Sequence, residues 1–234
     1  MYMNVIFAVL IGLIVILLIY ILINYLVEKS TQLATMTSGK KEQVIKADDL
    51  QDPPNSNKFT YSMWINVSDW NYKYGQEKML ISRQGPCPDI YLSPLNNDLN
   101  IKMNLYSLET LEEEPTLAHL CVVKNIALQK WVNIIVSLYG RTLDVYIDGK
   151  LTKTCLLEGV PKVNSKSDVK ICPNGGFNGW ISNFQYWPDA SNPQQAWNIY
   201  KGGYGGSLLG GFFNKYRVKV SFLDNNEETA SFEI

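Results

Sequence analysis

Asp144 and Asp148 are the carboxylates whose spacing comes nearest to paired acid–base chemistry. They bracket the run Asp144-Val145-Tyr146-Ile147-Asp148, where strand alternation puts both on one face. Four strand residues separate them by roughly 13 Å, whereas a retaining pair stands about 5 Å apart and an inverting pair about 6.5–9.5 Å. They therefore read as an outward polar face that ends in a turn aspartate. Glu112-Glu113-Glu114 is a solvated run before Pro115. His119 is the only histidine, and no second His or Cys pair stands at metal spacing, so neither a Ser-His-Asp triad nor a transition-metal site is expected. No catalytic residue and no cofactor follow from these residues. The loop Asp69-Trp70-Asn71-Tyr72-Lys73-Tyr74-Gly75 is the stronger candidate, because Trp70, Tyr72 and Tyr74 alternate with polar groups. Loops on rigid scaffolds carry most binding functions, and aromatic anchors are what interfaces favour. The tryptophans Trp64, Trp131, Trp180, Trp187 and Trp197 fall in periodic segments and are expected to pack as structure.

The chain that must position these groups has 234 residues and a formal net charge of -1. A near-neutral balance excludes electrostatically driven nucleic-acid binding, which needs a basic face. The charge is unevenly spread, for the first 27 residues carry no Lys, Arg, Asp or Glu. Val5 to Val27, with Ile14 and Ile19 inside it, would make a helix about 35 Å long, enough to cross a hydrocarbon core of about 30 Å. A cleaved signal peptide is the poorer fit: the run lacks a basic N-terminal flank, is too long, and no A-x-A-like site follows it. Lys29, Lys40, Lys41 and Lys46 follow the run and no basic residue precedes it. By the positive-inside rule the remainder is expected on the cytoplasmic, or capsid-facing, side. Residues 1–28 are thus read as a transmembrane anchor and 29–57 as a polar spacer that ends at Pro53-Pro54.

Cys87, Cys121, Cys155 and Cys172 are even in number with no C-x-x-C spacing. An extracytoplasmic domain would pair them in one of three ways; a cytoplasmic one would keep them reduced and buried. The charge asymmetry favours reduced thiols, and it leaves the Asn66-Val67-Ser68 sequon unused.

From Phe59 the apolar period is two. Phe59, Tyr61, Met63, Ile65 and Val67 alternate with Thr60, Ser62, Trp64 and Asn66, which reads as a strand with one face in a core. Further strands are expected over 78–82, 89–93, 99–106, 121–126, 169–172 and 179–187. Residues 131–157 read as three strands joined at Tyr139-Gly140 and Asp148-Gly149, an Asp-Gly pair being suited to a two-residue hairpin turn. One helix is expected from Asn192 to Tyr200, with Pro193 in its first turn. Many short strands and a single late helix indicate an all-β antiparallel sandwich.

The series FTYSMWINVSDW, KMLISR, ALQKWVNIIVSLYGRTLDVYIDGKL and GWISNFQYWPDASNPQQAWNIYKGG resembles the concanavalin A-like lectin/glucanase superfamily in its laminin-G and pentraxin-like branch. The resemblance covers about residues 58–204 and implies a jelly-roll sandwich over 58–206, with binding on a concave face or rim loops. Glucanases of this fold carry Glu-x-Asp-x-x-Glu on one strand, and no such motif occurs here. The resemblance allows a Ca²⁺ site, for which Asp69, Asp89, Asp98 and Asp168 are loop-end acids with no distinguishing spacing. The NPQQAWNIYKGGYG ending, together with the anchor, is similar to membrane-anchored members encoded by large double-stranded DNA viruses.

Residues 207–234 add a Gly-rich connector and a β-hairpin beyond that branch's usual end. In the hairpin Tyr216, Val218, Val220 and Phe222 share one face and are candidate partner-binding residues. The expectation is a membrane-anchored, non-catalytic structural or adaptor protein, such as a minor capsid component linking a virion's internal membrane to its shell. Its partners would be a membrane and other structural proteins. A membrane-anchored lectin that binds glycans is the alternative, and a glycoside hydrolase ranks third.

Overall fold

In the computed structural model, residues 12, 14, 17, 18, 31–34, 36–50, 57–85, 87–106, 117–205, 219–224 and 227–233 are described. Two units are distinguished, Met1–Ser30 and Thr31–Ile234. In the first, Gly12, Ile14, Leu17 and Leu18 are helical, with Ile14, Leu17 and Leu18 exposed. Among the described residues no helix is long and apolar enough to cross a membrane. Val5, Ile19 and Val27 of the expected anchor lie outside the described residues, as do Glu112–Glu114, Tyr216 and Val218.

The second unit is the expected antiparallel sandwich. One seven-stranded sheet runs in the order β1 (Thr31–Ala34), β14 (Asn178–Trp187), β4 (Lys58–Asp69), β9 (Trp131–Tyr139), β10 (Thr142–Ile147) and β11 (Lys150–Leu156), with β2 (Thr37–Ser38) also on β14. The facing sheet runs β12 (Val160–Pro161), β7 (Leu99–Tyr106), β6 (Asp89–Leu92), β5 (Lys78–Arg83), β13 (Val169–Ile171) and β3 (Gln43–Ile45), with β8 (Leu117–Val123) on β7. One helix, α1 (Pro193–Lys201), follows β14. A separate two-stranded sheet pairs β15 (Lys219–Asp224) with β16 (Glu227–Glu233).

The local causes are those read from the sequence. Phe59, Tyr61, Met63, Ile65 and Val67 of β4 point into the space between the sheets, where they meet Ile90, Leu92, Ile101 and Met103 of the facing layer. Asp148 and Gly149 both take positive φ, 50° and 73°, as the β10–β11 turn requires. Asn192 caps α1, accepting from Gln195 N at 2.9 Å while Gln195 Oε1 accepts from Asn192 N at 2.8 Å.

Three expectations are corrected. The stretch 29–57, read as a spacer, supplies edge strands: β1 and β2 extend one sheet from β14, and β3 extends the other from β13. Strands of two to four residues are too short to show an apolar period, although Ile45 of β3 is buried in the main core. The second face of β4, which alternation left outside the core, is also buried. Thr60, Ser62 and Trp64 lie under α1 and its approach, where Thr60 Oγ1 donates to Asp189 O at 2.8 Å. Ile135, Tyr146 and Ala196, flanked by Ile199, form a small second core beneath the helix.

The third correction concerns the thiols. Cys121 of β8 and Cys155 of β11 form a disulfide with Cα atoms 6.0 Å apart. These strands belong to opposite sheets, so the bond stitches the two layers together along one margin. Cys87 and Cys172 are free and buried, and burial pushes each thiol up to about 12. A 34-residue separation corresponds to about 3–4 kcal/mol in the chain-entropy account. Alkylation should therefore label two cysteines in denaturant without reductant and four after reduction, while the native protein at pH 8 labels slowly. Four labelled cysteines without reductant would contradict the bond.

Candidate functional site

The acids that sequence reasoning set aside have structural partners. Asp144 accepts from Thr154 Oγ1 at 2.6 Å across to β11, and Asp148 accepts from Asn133 N at 2.9 Å at the turn. The loop-end acids are engaged separately. Asp69 accepts from Asn71 N, Asp98 from Asn125 N and Asp89 from Ser82 Oγ. Burial raises the Asp89 carboxyl above its usual range. Asp168 pairs with Lys46 at 2.9 Å, and that hydrogen bond holds its carboxyl below the ordinary value. Among the described residues no three Asp, Glu, His or Cys side chains come together as a metal site. His119 lies half-buried on β8, away from any such group.

The aromatic loop is built as a stopper at one end of the sandwich. Trp70 packs against the main core, and Lys78 Nζ lies 4.2 Å from its ring centroid. Lys78 is itself buried and donates to Lys73 O at 3.3 Å; desolvation lowers its pKa, with the Lys73 charge adding to the effect. Tyr72 donates to Gly175 O at 3.1 Å, and Lys40 Nζ stands 4.6 Å over its ring. Lys73 Nζ donates to Asn174 O at 2.6 Å. Of the three aromatics only Tyr74 projects, at 61% exposed. Trp70 and Tyr72 thus tie the loop down, and Tyr74 is what remains for a partner.

At the opposite end, Arg83 is 1% exposed. Its guanidinium donates to Tyr61 Oη at 3.0 Å, Ser167 O at 3.2 Å and Ser165 O at 3.1 Å. Desolvation drives the Tyr61 hydroxyl upward despite this cation, keeping it a neutral acceptor. The segment so held lines an open groove of about 540 Å³ bordered by Ser82, Gln84, Lys166, Ser167, Asp168 and Lys170. Its polar lining has no aromatic platform.

A third surface was missed in the sequence. On the outer face of the α1-covered sheet, register places Ser38, Trp180, Asn66 and Trp131 side by side across β2, β14, β4 and β9. Trp180 is 49% exposed, whereas it was expected to pack as structure. Trp131 stacks on Tyr204, with centroids 4.7 Å apart and planes 6° from parallel. The signal was present, since Trp180 and Asn66 have outward parity, but pairing register is not readable from one strand at a time. Of the hairpin candidates, Val220 and Phe222 fall in β15.

The two layers, the hairpin order and the capped terminal helix coincide with a family model for the concanavalin A-like lectin/glucanases superfamily, which matches residues 38–196. The chain belongs to that superfamily. Among solved structures, it is similar to the botulinum neurotoxin serotype G binding domain with a TM-score of 0.50 and 15% identity, covering 71% of this chain and 46% of that one. It is similar also to the receptor-binding domain of botulinum neurotoxin mosaic serotype C/D, with a TM-score of 0.53 and 13% identity over 73% and 44%. The chain spans less than half the length of those domains, and the likeness is one of fold. No curated protein sequence matches it.

The stopper account separates two residues of one superfamily loop. Trp70→Ala should lower unfolding free energy by about 2–3 kcal/mol, less than for a fully buried Trp because its edge is solvated. Tyr74→Ala should stay within about 0.5 kcal/mol. Chemical denaturation of both variants checks this, and equal effects would contradict it.

Proposed function

We propose that this protein is a membrane-tethered, non-catalytic adaptor that joins other structural proteins through its C-terminal hairpin, as a minor capsid component would. One observation carries the reading: among the described residues β15 and β16 pair only with each other, outside both sheets of the family fold. A lone two-stranded sheet is marginal in water, so a hairpin of this kind needs a partner surface. The apolar run Val5–Val27 supplies the tether.

The Cys121–Cys155 bond supports placing the sandwich where thiols are oxidised, such as a virion or cell surface. The positive-inside count points the other way, but two of its lysines have structural partners: Lys46 pairs with Asp168 and Lys40 covers Tyr72. Removing residues 207–234 should leave a folded, membrane-retained protein that no longer joins its complex. Normal assembly, or an unfolded sandwich by near-ultraviolet circular dichroism, would overturn the reading.

A glycan-binding reading is favoured by one separate observation, the exposed Trp180 in the row that continues to Asn66 and Trp131. It offers a flat apolar ring beside an amide, the mixture that small-molecule sites use to fix a polar ligand. Binding on a glycan array that is lost in Trp180→Ala would support it; unchanged binding by that variant would exclude this row as the site.

A further inference from the structure

We propose that the acceptor for the C-terminal hairpin is the free edge of β11 on a second copy of this chain, with β16 adding to it as a further strand. The inference rests on the hairpin-mediated assembly proposed above and takes the structural protein that the hairpin joins to be another copy of this chain.

Sheet margins decide the matter, because a strand with one unpaired edge presents a row of N–H and C=O groups to any extended segment. The strands with an unpaired edge here are β1, β2 and β11 in one sheet, and β3, β8 and β12 in the other, of which β2 and β12 are only two residues long. β1 and β3 are four and three residues long and carry no charged residue. β8, LAHLCVV, has none beyond His119. β11, KLTKTCL, differs on every count. It is seven residues long, all but Cys155 are exposed, and Leu151 stands 50% exposed among them. It is also basic, with Lys150 and Lys153 and no acid.

β16, EETASFE, is likewise seven residues long and carries Glu227, Glu228 and Glu233 with no basic residue. The two strands are thus matched in length and opposite in charge. Aligned antiparallel end to end, Glu233 falls opposite Lys150 and Phe232 opposite Leu151, while Lys153 and Glu228 lie in the same stretch of ladder beyond the irregularities that skip Thr152 and Thr229. Each such cross-strand pair is favourable by a few tenths of a kcal/mol to about 1 kcal/mol. Two β11 edges, by contrast, repel each other through their lysines, which keeps identical edges from pairing. The Cys121–Cys155 bond sits on β11 itself and fastens the strand to β8 of the facing layer. The acceptor edge is therefore held in place before the hairpin arrives, and little ordering entropy is lost there on addition.

Carbodiimide, which joins a carboxylate to an amine without a spacer, reads this contact directly. The full chain in lipid nanodiscs or detergent, prepared as a mixture of ¹⁴N- and ¹⁵N-labelled copies, should give mixed-isotope peptides joining Lys150 or Lys153 to Glu228 or Glu233. Same-isotope peptides alone would mean that each hairpin closes its own chain, and no such peptides would mean that β11 is not the acceptor; either overturns the proposal. Because substitution also removes the reacting groups, the variants are read by the assembled fraction in analytical ultracentrifugation: Lys150→Glu with Lys153→Glu should reduce it by about tenfold, as two favourable pairs become repulsive. Glu228→Lys with Glu233→Lys should do the same. Mixing those two double variants should restore it, because each then finds a complementary edge only in the other. Failure of that rescue would overturn the β11 assignment. If deletion of residues 207–234 still abolished assembly, the adaptor reading would survive that failure and only its acceptor would be wrong.

Discussion

A guanidinium enclosed between two sheets needs acceptors for its donors, and Arg83 is the point where this fold supplies them. Among the described residues it forms no ion pair; its bonds go to the Tyr61 hydroxyl and to the carbonyls of Ser165 and Ser167. Arg83 belongs to β5 and Tyr61 to β4, so one side chain spans the two layers. The carbonyls belong to the segment that leads into β13, which pairs with both β5 and β3. An unpaired buried charge would cost on the order of several kcal/mol, so these three contacts fix the sheet separation and the path of that loop together. Phe59, Tyr61 and Tyr186 close round the same group as a ring cluster with centroids 5.1–5.2 Å apart.

The layers so fixed leave their chemistry at the margins. Asp69, Asp98, Asp144 and Asp148 cap turns or bridge strands. The surfaces that remain are an exposed Trp180 on one sheet, an open polar groove near the other, and a basic edge pinned by a disulfide. Recognition by an edge needs no pocket, because main-chain groups supply affinity while side-chain charge selects the partner. Among the described strands that have an unpaired sheet edge, only β11 combines length, exposure and charge.

How much of this was readable beforehand follows from which interactions are local. β4, β7, β9 and β10 were visible because alternation and turn chemistry act within ten residues, as did the Asn192–Gln195 cap. β1, β2 and β3 were not, since nothing in TQLA, TS or QVI marks a strand until β14 and β13 are in place to pair with it. The Cys121–Cys155 bond was hidden for the same reason: it joins strands of different sheets whose meeting is a property of the closed sandwich. Trp70, Tyr72 and Tyr74 looked alike in sequence, and only the positions of Lys78 and Gly175 separate a plug from a projecting ring. Trp180 went the other way, since an isolated strand does not reveal which outward side chains a helix will later cover.

A density map of the protein in its native membrane assembly, at a resolution that separates strands, bears most directly on the central claim of edge-mediated assembly. The account predicts that the sheet containing β11 continues with a strand about 4.8 Å beyond it and that strand's hairpin partner outside it, and that both trace to the C-terminal segment of a neighbouring chain. A bare β11 edge, or a hairpin folded back on its own chain, would contradict it.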